Sequence, residues 1–238
     1  MLLEVDRLNT YYGASHVLRD VTLNVDEGEL VALLGRNGMG KSTALKTIMG
    51  LVSPRSGSVL FKGKNIESFP PYKIAREGIS YVPEDRRIFP ELSVFDNLML
   101  GIKDKKFEDP ENPNVWSVER IYSHFPMLEK RHASQGRFLS GGEQQMLSIG
   151  RSLMGNPHLL LVDEPTEGLA PQMKEEVRDI LKEIHKAGVA ILLVEHNLKI
   201  ALSLAQRVYL MGKAHIGYGG SIEELNSNQE ILGKYLEA

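Results

Sequence analysis

The chain has no cysteine among its 238 residues, which excludes thiolate nucleophiles, disulfide frameworks and cysteine-ligated zinc or iron–sulfur centres. It also lacks any apolar run approaching the roughly 20 residues that a membrane span requires. The opening Met1-Leu2-Leu3-Glu4-Val5-Asp6 has no basic stretch ahead of a long apolar one, so no secretory signal is read and a cytosolic setting is expected. An excess of either charge is missing too. With 28 basic side chains against 31 acidic ones, the basic footprint of a nucleic-acid binder is absent, and no nucleic-acid partner is expected. Internal repeats and low-complexity tracts are likewise missing.

What is present suits an ordinary globular protein, with 42% hydrophobic and 25% charged residues. Folding at this size should remove about 70% of the extended chain's surface from water. A core therefore forms without help from metal or disulfide. Residues 2–8 and 21–25 alternate apolar and polar side chains, as half-solvated antiparallel strands do, and residues 58–61 join them as a short strand before a turn. Residues 30–34, 159–162 and 189–194 are instead continuous apolar runs, the mark of parallel strands covered on both faces. Helical periodicity follows at residues 41–49 and 171–186, stopped by Gly50 and Gly188. Residues 93–154 turn helical, with segments at 94–100, 118–124 and 142–154, and read as an inserted lobe. Within it the charged stretch 103–114, carrying Pro110 and Pro113, reads as a mobile surface connection. Residues 222–225 and 230–236 read as short amphipathic helices.

Three motifs carry chemistry. Gly35-Arg36-Asn37-Gly38-Met39-Gly40-Lys41-Ser42-Thr43 fits G-x-x-x-x-G-K-S/T between a buried-strand candidate and a helix. Glycines let backbone N–H groups converge on a triphosphate, and the helix N-terminus favours the anion. Lys41 adds a point charge for the β and γ phosphates, and the Ser42 hydroxyl suits magnesium. The bland alternative is a glycine-rich turn before a helix. Second, Leu159-Leu160-Leu161-Val162-Asp163-Glu164 delivers two carboxylates at the C-terminal end of a strand, where open α/β sheets bind ligands. Alternation along an extended strand gives them different tasks: Asp163 holds magnesium through water, and Glu164 orients or deprotonates the attacking water. A solvated acidic strand end is the alternative. Third, Leu139-Ser140-Gly141-Gly142-Glu143 contains the S-x-x-E capping box of a helix start, and its paired glycines bare that N-terminus to an anion.

With these motifs in this order, followed by Val194-Glu195-His196-Asn197, the chain resembles the ATP-binding cassette ATPases over nearly its whole length. The resemblance implies a single α/β domain spanning residues 1–238 with a P-loop NTPase (RecA-like) core. Residues 1–92 would form the antiparallel β subdomain plus the P-loop part of the core, residues 93–154 the inserted α-helical subdomain, and residues 155–238 the rest. It implies ATP and Mg²⁺ as bound groups and a head-to-tail dimer in which Ser140, Gly141 and Gly142 of one subunit close on residues 35–43 of the other. Tyr12, before Gly13, takes the position of the adenine-stacking aromatic, with Tyr11 as the competing choice. His196 takes that of the histidine bridging the γ-phosphate to Glu164. The remaining six histidines lack metal-ligand spacing and read as surface or packing residues.

Two positions depart from the family pattern. Glu84 stands where a magnesium-contacting glutamine is usual, and Ala170 where a cross-dimer aspartate is usual. Tyr81-Val82-Pro83-Glu84, the run Arg86-Arg87-Ile88-Phe89-Pro90-Glu91-Leu92 and Gly168-Leu169-Ala170-Pro171 are similar to the ATPase subunits of bacterial branched-chain amino acid importers. This implies two membrane-spanning permease subunits, a second ATPase subunit as heterodimer partner or a homodimer in isolation, and indirect work with a solute-binding protein. The setting implied is the cytoplasmic face of the inner membrane. Related urea or amide importers and soluble ABC ATPases are the alternatives. A P-loop kinase would share residues 35–43 but has no use for the Ser140-Gly141-Gly142 turn, and a non-catalytic binding module would not need Glu164 and His196 together.

Overall fold

The computed structural model describes residues 1–103, 115–228, 230–231 and 235. Two sheets organise it. β1 (Leu3–Tyr12) and β2 (Ser15–Val25) form a long antiparallel hairpin. After β3 (Leu30–Leu34) and α1 (Lys41–Ile48), the chain returns to the hairpin's sheet with β4 (Ser56–Phe61) and β5 (Lys64–Asn65), in the order β2-β1-β4-β5. α2 (Pro71–Glu77) leads into β6 (Ile79–Val82). Among the described residues four α-helices follow: α3 (Val94–Met99), α4 (Val118–His124), α5 (Pro126–Lys130) and α6 (Gly141–Leu153). The chain then alternates through β7 (Leu159–Asp163), α7 (Pro171–Lys186), β8 (Ala190–Val194) and α8 (Leu198–Leu204), and finishes with β9 (Arg207–Gly212), β10 (His215–Ser221) and α9 (Ile222–Asn226). The second sheet runs β10-β9-β3-β8-β7-β6, parallel except for the β10 edge.

The continuous apolar runs exist because this second sheet is covered twice. Leu159 and Leu161 of β7, and Ala190, Leu192 and Val194 of β8, join the cluster shared with the first sheet and α1. Leu160 and Val162, with Ile191 and Leu193, instead meet α6, α7 and the helices before them. A side-chain period of two splits each strand between the clusters. α7 places Val177, Leu181 and Ile184 inward, the i, i+4, i+7 stripe of a helix with one dry face. The expected α/β fold, with an antiparallel β layer and a helical insertion around a parallel core, is the fold observed.

Several details differ from the sequence reading. β1 and β2 extend well beyond residues 2–8 and 21–25 because each finds a partner along its whole length. β6, β9 and β10, and helices α2, α5 and α8, are present in addition to the expected elements, and β6 and α5 carry too few periods to be read alone. Of the connection expected at residues 103–114, residues 104–114 lie outside the described residues. Lys103 is half-buried, its Nζ donating to the Ile79 carbonyl at 3.1 Å and the Ser80 hydroxyl at 2.7 Å. Of the helix expected at 230–236, Glu230, Ile231 and Tyr235 are helical and the others lie outside the described residues.

Candidate active site

The C-terminal ends of β3, β7 and β8 meet at one edge of the parallel sheet, and their loops build a pocket. It has a volume of about 300 Å³ and is lined by Val17, Asn37, Gly38, Gly40, Lys41, Ser42, Thr43, Glu164 and His196. Of residues 35–43, Asn37, Gly38 and the run from Gly40 to Thr43 line it, while Gly35 does not. Gly35 has φ 151°, and a Cβ there would stand 2.3 Å from the Met211 carbonyl oxygen of β9. Gly40, at φ 101°, would drive a Cβ to 2.8 Å from the Val17 carbonyl oxygen. Both positions therefore require glycine for conformation and for space. Lys41 opens α1 and is only 4% exposed. Its Nζ donates to the carbonyls of Gly35 at 2.9 Å and Arg36 at 3.0 Å, folding the side chain back over its own loop. Burial holds its pKa below the usual lysine value, while the Glu164 and Asp163 carboxylates pull it back up.

The carboxylate pair is arranged differently from a simple alternation along one strand. Asp163 ends β7, but Glu164 lies just past it with φ 47°, a left-handed conformation costly for a residue with a Cβ and characteristic of functional turns. Its N–H donates to the Val194 carbonyl at 2.9 Å, so the turn is anchored to β8. The Glu164 side chain then meets His196, with Oε1 and Nε2 2.7 Å apart. Burial pushes the Glu164 carboxyl above the ordinary carboxylate range. His196 and Lys41 oppose that shift, and Glu84 and Asp163 add to it.

Asp163 is fully buried. The Tyr81 hydroxyl donates to its Oδ2 at 2.8 Å, and its Oδ1 has no hydrogen-bond partner among the described residues. An orphaned buried carboxylate oxygen at the end of β7, with the Ser42 hydroxyl in the lining of the pocket that β7 leads into, fits a hard cation that keeps part of its water shell, as Mg²⁺ does. Glu84 is exposed and does not line the pocket, although its charge reaches Glu164. Arg36 and Met39 also stay outside the lining; Met39 Sδ instead accepts from the Lys213 N–H at 3.2 Å.

The other expected residues stand apart from this pocket. Tyr12 is 49% exposed at the hairpin end, while Tyr11 is stacked on His16 with ring centroids 4.0 Å apart. Tyr12 is thus the aromatic with an open face. Ser140, Gly141 and Gly142 begin α6, and the capping box is complete: Ser140 Oγ accepts from the Glu143 N–H at 3.3 Å, and the Glu143 carboxylate accepts from the Ser140 N–H at 2.7 Å. None of the three lines the pocket. The Arg86 guanidinium stands against Gly141, 3.0 Å from where a Cβ would lie.

Four contributors escaped sequence reasoning: Val17 in the lining, Tyr81 on Asp163, and the buried residues Glu195 and Thr166. Glu195 Oε1 accepts from the N–H groups of His196 at 2.8 Å and Asn197 at 2.9 Å, and its Oε2 accepts from the Thr166 hydroxyl at 2.8 Å. For Glu195 and Thr166 the signal was position, close to Glu164 and His196 in the motifs; Val17 and Tyr81 carried none.

Residues 18–167 match the family model described as ABC transporter, and the chain belongs to that family as an ATP-binding, ATP-hydrolysing cassette of a transporter. Among its relatives is the high-affinity branched-chain amino acid transport ATP-binding protein BraG of Pseudomonas aeruginosa, 39% identical over 235 residues that cover 99% of each chain. The lipopolysaccharide export system ATP-binding protein LptB of Haemophilus influenzae is 31% identical over 235 residues, covering 99% of this chain and 97% of LptB. A dimeric ATP-binding cassette solved in a post-hydrolysis state with ADP and Pi matches with a TM-score of 0.80 at 25% identity, over 93% of this chain and 99% of that one. Among the described residues no helix is long and apolar enough to cross a membrane.

Proposed function

We propose that the chain energises a membrane importer of branched-chain amino acids by hydrolysing ATP between two cassettes. The observation that carries this reading is the 2.7 Å Glu164–His196 contact in the wall of the Lys41 pocket. The identity to BraG along both chains supports the solute class. Residues 35–43 take the triphosphate on their backbone N–H groups, and Lys41 turns from its loop carbonyls to the phosphate oxygens. Tyr12 stacks on the adenine. Glu164, its basicity raised by burial, takes the proton of the attacking water, and His196 Nε2 fixes the carboxylate and faces the terminal phosphate.

Bound magnesium would supply charge neutralisation for phosphoryl transfer; Ser42 and Asp163, the latter through water, would hold it, and Glu84, expected to join them, stands outside the lining and would add its charge from there. Ser140, Gly141 and Gly142 of a second cassette, sister subunit or copy, close the pocket with the bared N-terminus of α6. Cleavage removes the contact that favours closure, and the opened pair transmits the change to two permease subunits at the cytoplasmic face of the membrane. A solute-binding protein acts on the outer side. The three segments 1–92, 93–154 and 155–238 serve as the β layer with the P-loop, the helical lobe and the remainder of the core.

The test is reconstitution with the permease subunits in vesicles. Leucine-loaded binding protein should stimulate ATP hydrolysis by the complex. Stimulation by urea or amides instead, with none by leucine, would move the solute class, and stimulation by lipopolysaccharide alone would favour an export role like the one in LptB's name.

A further inference from the structure

We propose that Glu195 and Thr166 form a positioning tie that sets the Glu164–His196 pair for hydrolysis; this rests on the roles just assigned to that pair. β7 and β8 are neighbours, with Asp163 opposite Val194 in the last rung of their ladder. The two catalytic side chains stand on the loops just beyond that rung, where the sheet no longer fixes their separation. Besides the Glu164–His196 contact itself, two links among the described residues join β8 and its loop to the loop of Glu164. One is the Glu164 N–H donating to the Val194 carbonyl. The other is the Glu195 carboxylate, which takes two N–H donors from its own loop, at His196 and Asn197, and the Thr166 hydroxyl from the loop of Glu164.

Glu195 is 3% exposed and Thr166 1%. A buried carboxylate is costly unless its oxygens are satisfied, and here three donors aim at it from two loops. The arrangement puts one rigid group two residues beyond Glu164 and directly before His196. Glu195 touches neither reacting atom in this reading; it acts through the backbone of His196 and through the turn that carries Glu164. Displacement of a catalytic group by about 1 Å is enough to cost roughly 10²-fold in rate.

The experiment measures single-turnover phosphate release and ATP-analogue affinity for the full chain. Glu195→Ala should slow release by about 10²-fold and Thr166→Val by about tenfold, with affinity within about twofold of wild type. Glu195→Gln keeps an oxygen for the two N–H groups and turns its amide to donate to the Thr166 hydroxyl, so it and Thr166→Ser should remain within about threefold. Combining Glu195→Ala with Glu164→Gln should add little beyond Glu164→Gln alone, because a tie without a base to position is idle. Three results would overturn the proposal: rates near wild type in both Glu195→Ala and Thr166→Val, affinity falling in step with rate, or Glu195→Gln as slow as Glu195→Ala. Thr166→Val, similar in volume, keeps the question decidable if Glu195→Ala does not fold. Normal hydrolysis by Glu164→Gln would sink the site reading and the tie together. An inactive Glu164→Gln alongside fast tie variants would sink the tie alone.

Discussion

Replacing Glu164 by Gln is the most discriminating single change in the site. Gln has the same size, and its oxygen can still accept from His196 Nε2 across the 2.7 Å contact, so the pocket keeps its shape. What disappears is the capacity to take a proton. A positioned general base contributes about 10²–10⁴-fold, which at about 1.36 kcal/mol per decade is roughly 2.7–5.4 kcal/mol of barrier. Phosphate release at saturating ATP should fall by that factor while ATP-analogue affinity stays unchanged.

The same substitution makes a second, independent statement about stability. The folded-state pKa of Glu164 is raised, chiefly by burial. The group therefore stabilises the fold fully only below its unfolded value of about 4.3, and that contribution is lost as pH rises through the raised folded value. Above that value the ionised side chain is a net cost, so there the Gln variant should melt at the same temperature or higher. In the wild type, hydrolysis should fall off on the acid side at a pH above the ordinary carboxylate value, and that limb should vanish from the residual activity of the variant. Normal turnover in Glu164→Gln, or a clear drop in its melting temperature, would refute the reasoning.

Other changes test other parts of the molecule. Gly35→Ala puts a methyl 2.3 Å from the Met211 carbonyl oxygen; it should abolish ATP-analogue binding in a titration and lower stability by about 1–3 kcal/mol. Ser140→Ala removes the cap of α6 and should cost about 1 kcal/mol in urea denaturation. Lys103, lowered by burial to about 8, binds its proton more weakly folded than unfolded. Wild-type stability should therefore rise between about pH 8 and the unfolded lysine value of about 10.4, and Lys103→Met should flatten that rise in thermal melts.

Much of this was legible in the residues because the informative signals are local. Residues 35–43 carry their own geometry, since glycines at fixed spacing before a lysine prescribe a loop that few other tasks require. β3 was readable to the residue because burial on both faces removes every polar interruption. α7 was readable because Pro171 and Gly188 mark its limits. The long-range relationships were hidden. Nothing in the order of residues reveals that Glu164 departs from the strand with φ 47°, for that bend is imposed by β8 beside it. Tyr81 pairs with Asp163 from a strand too short to show a period. No task for Glu195 is readable before His196, because its partner Thr166 stands 29 positions away. Lys103 was assigned to a charged surface stretch because its buried acceptors, Ile79 and Ser80, belong to a strand that was not read.

The abutment of Gly35 on Met211 has a consequence for biosynthesis. β3 leaves the ribosome well before its two flanking strands, β8 and β9. The nascent chain carries the glycine loop long before the wall behind it exists, so the close fit of Gly35 against Met211 forms only once β9 has been made.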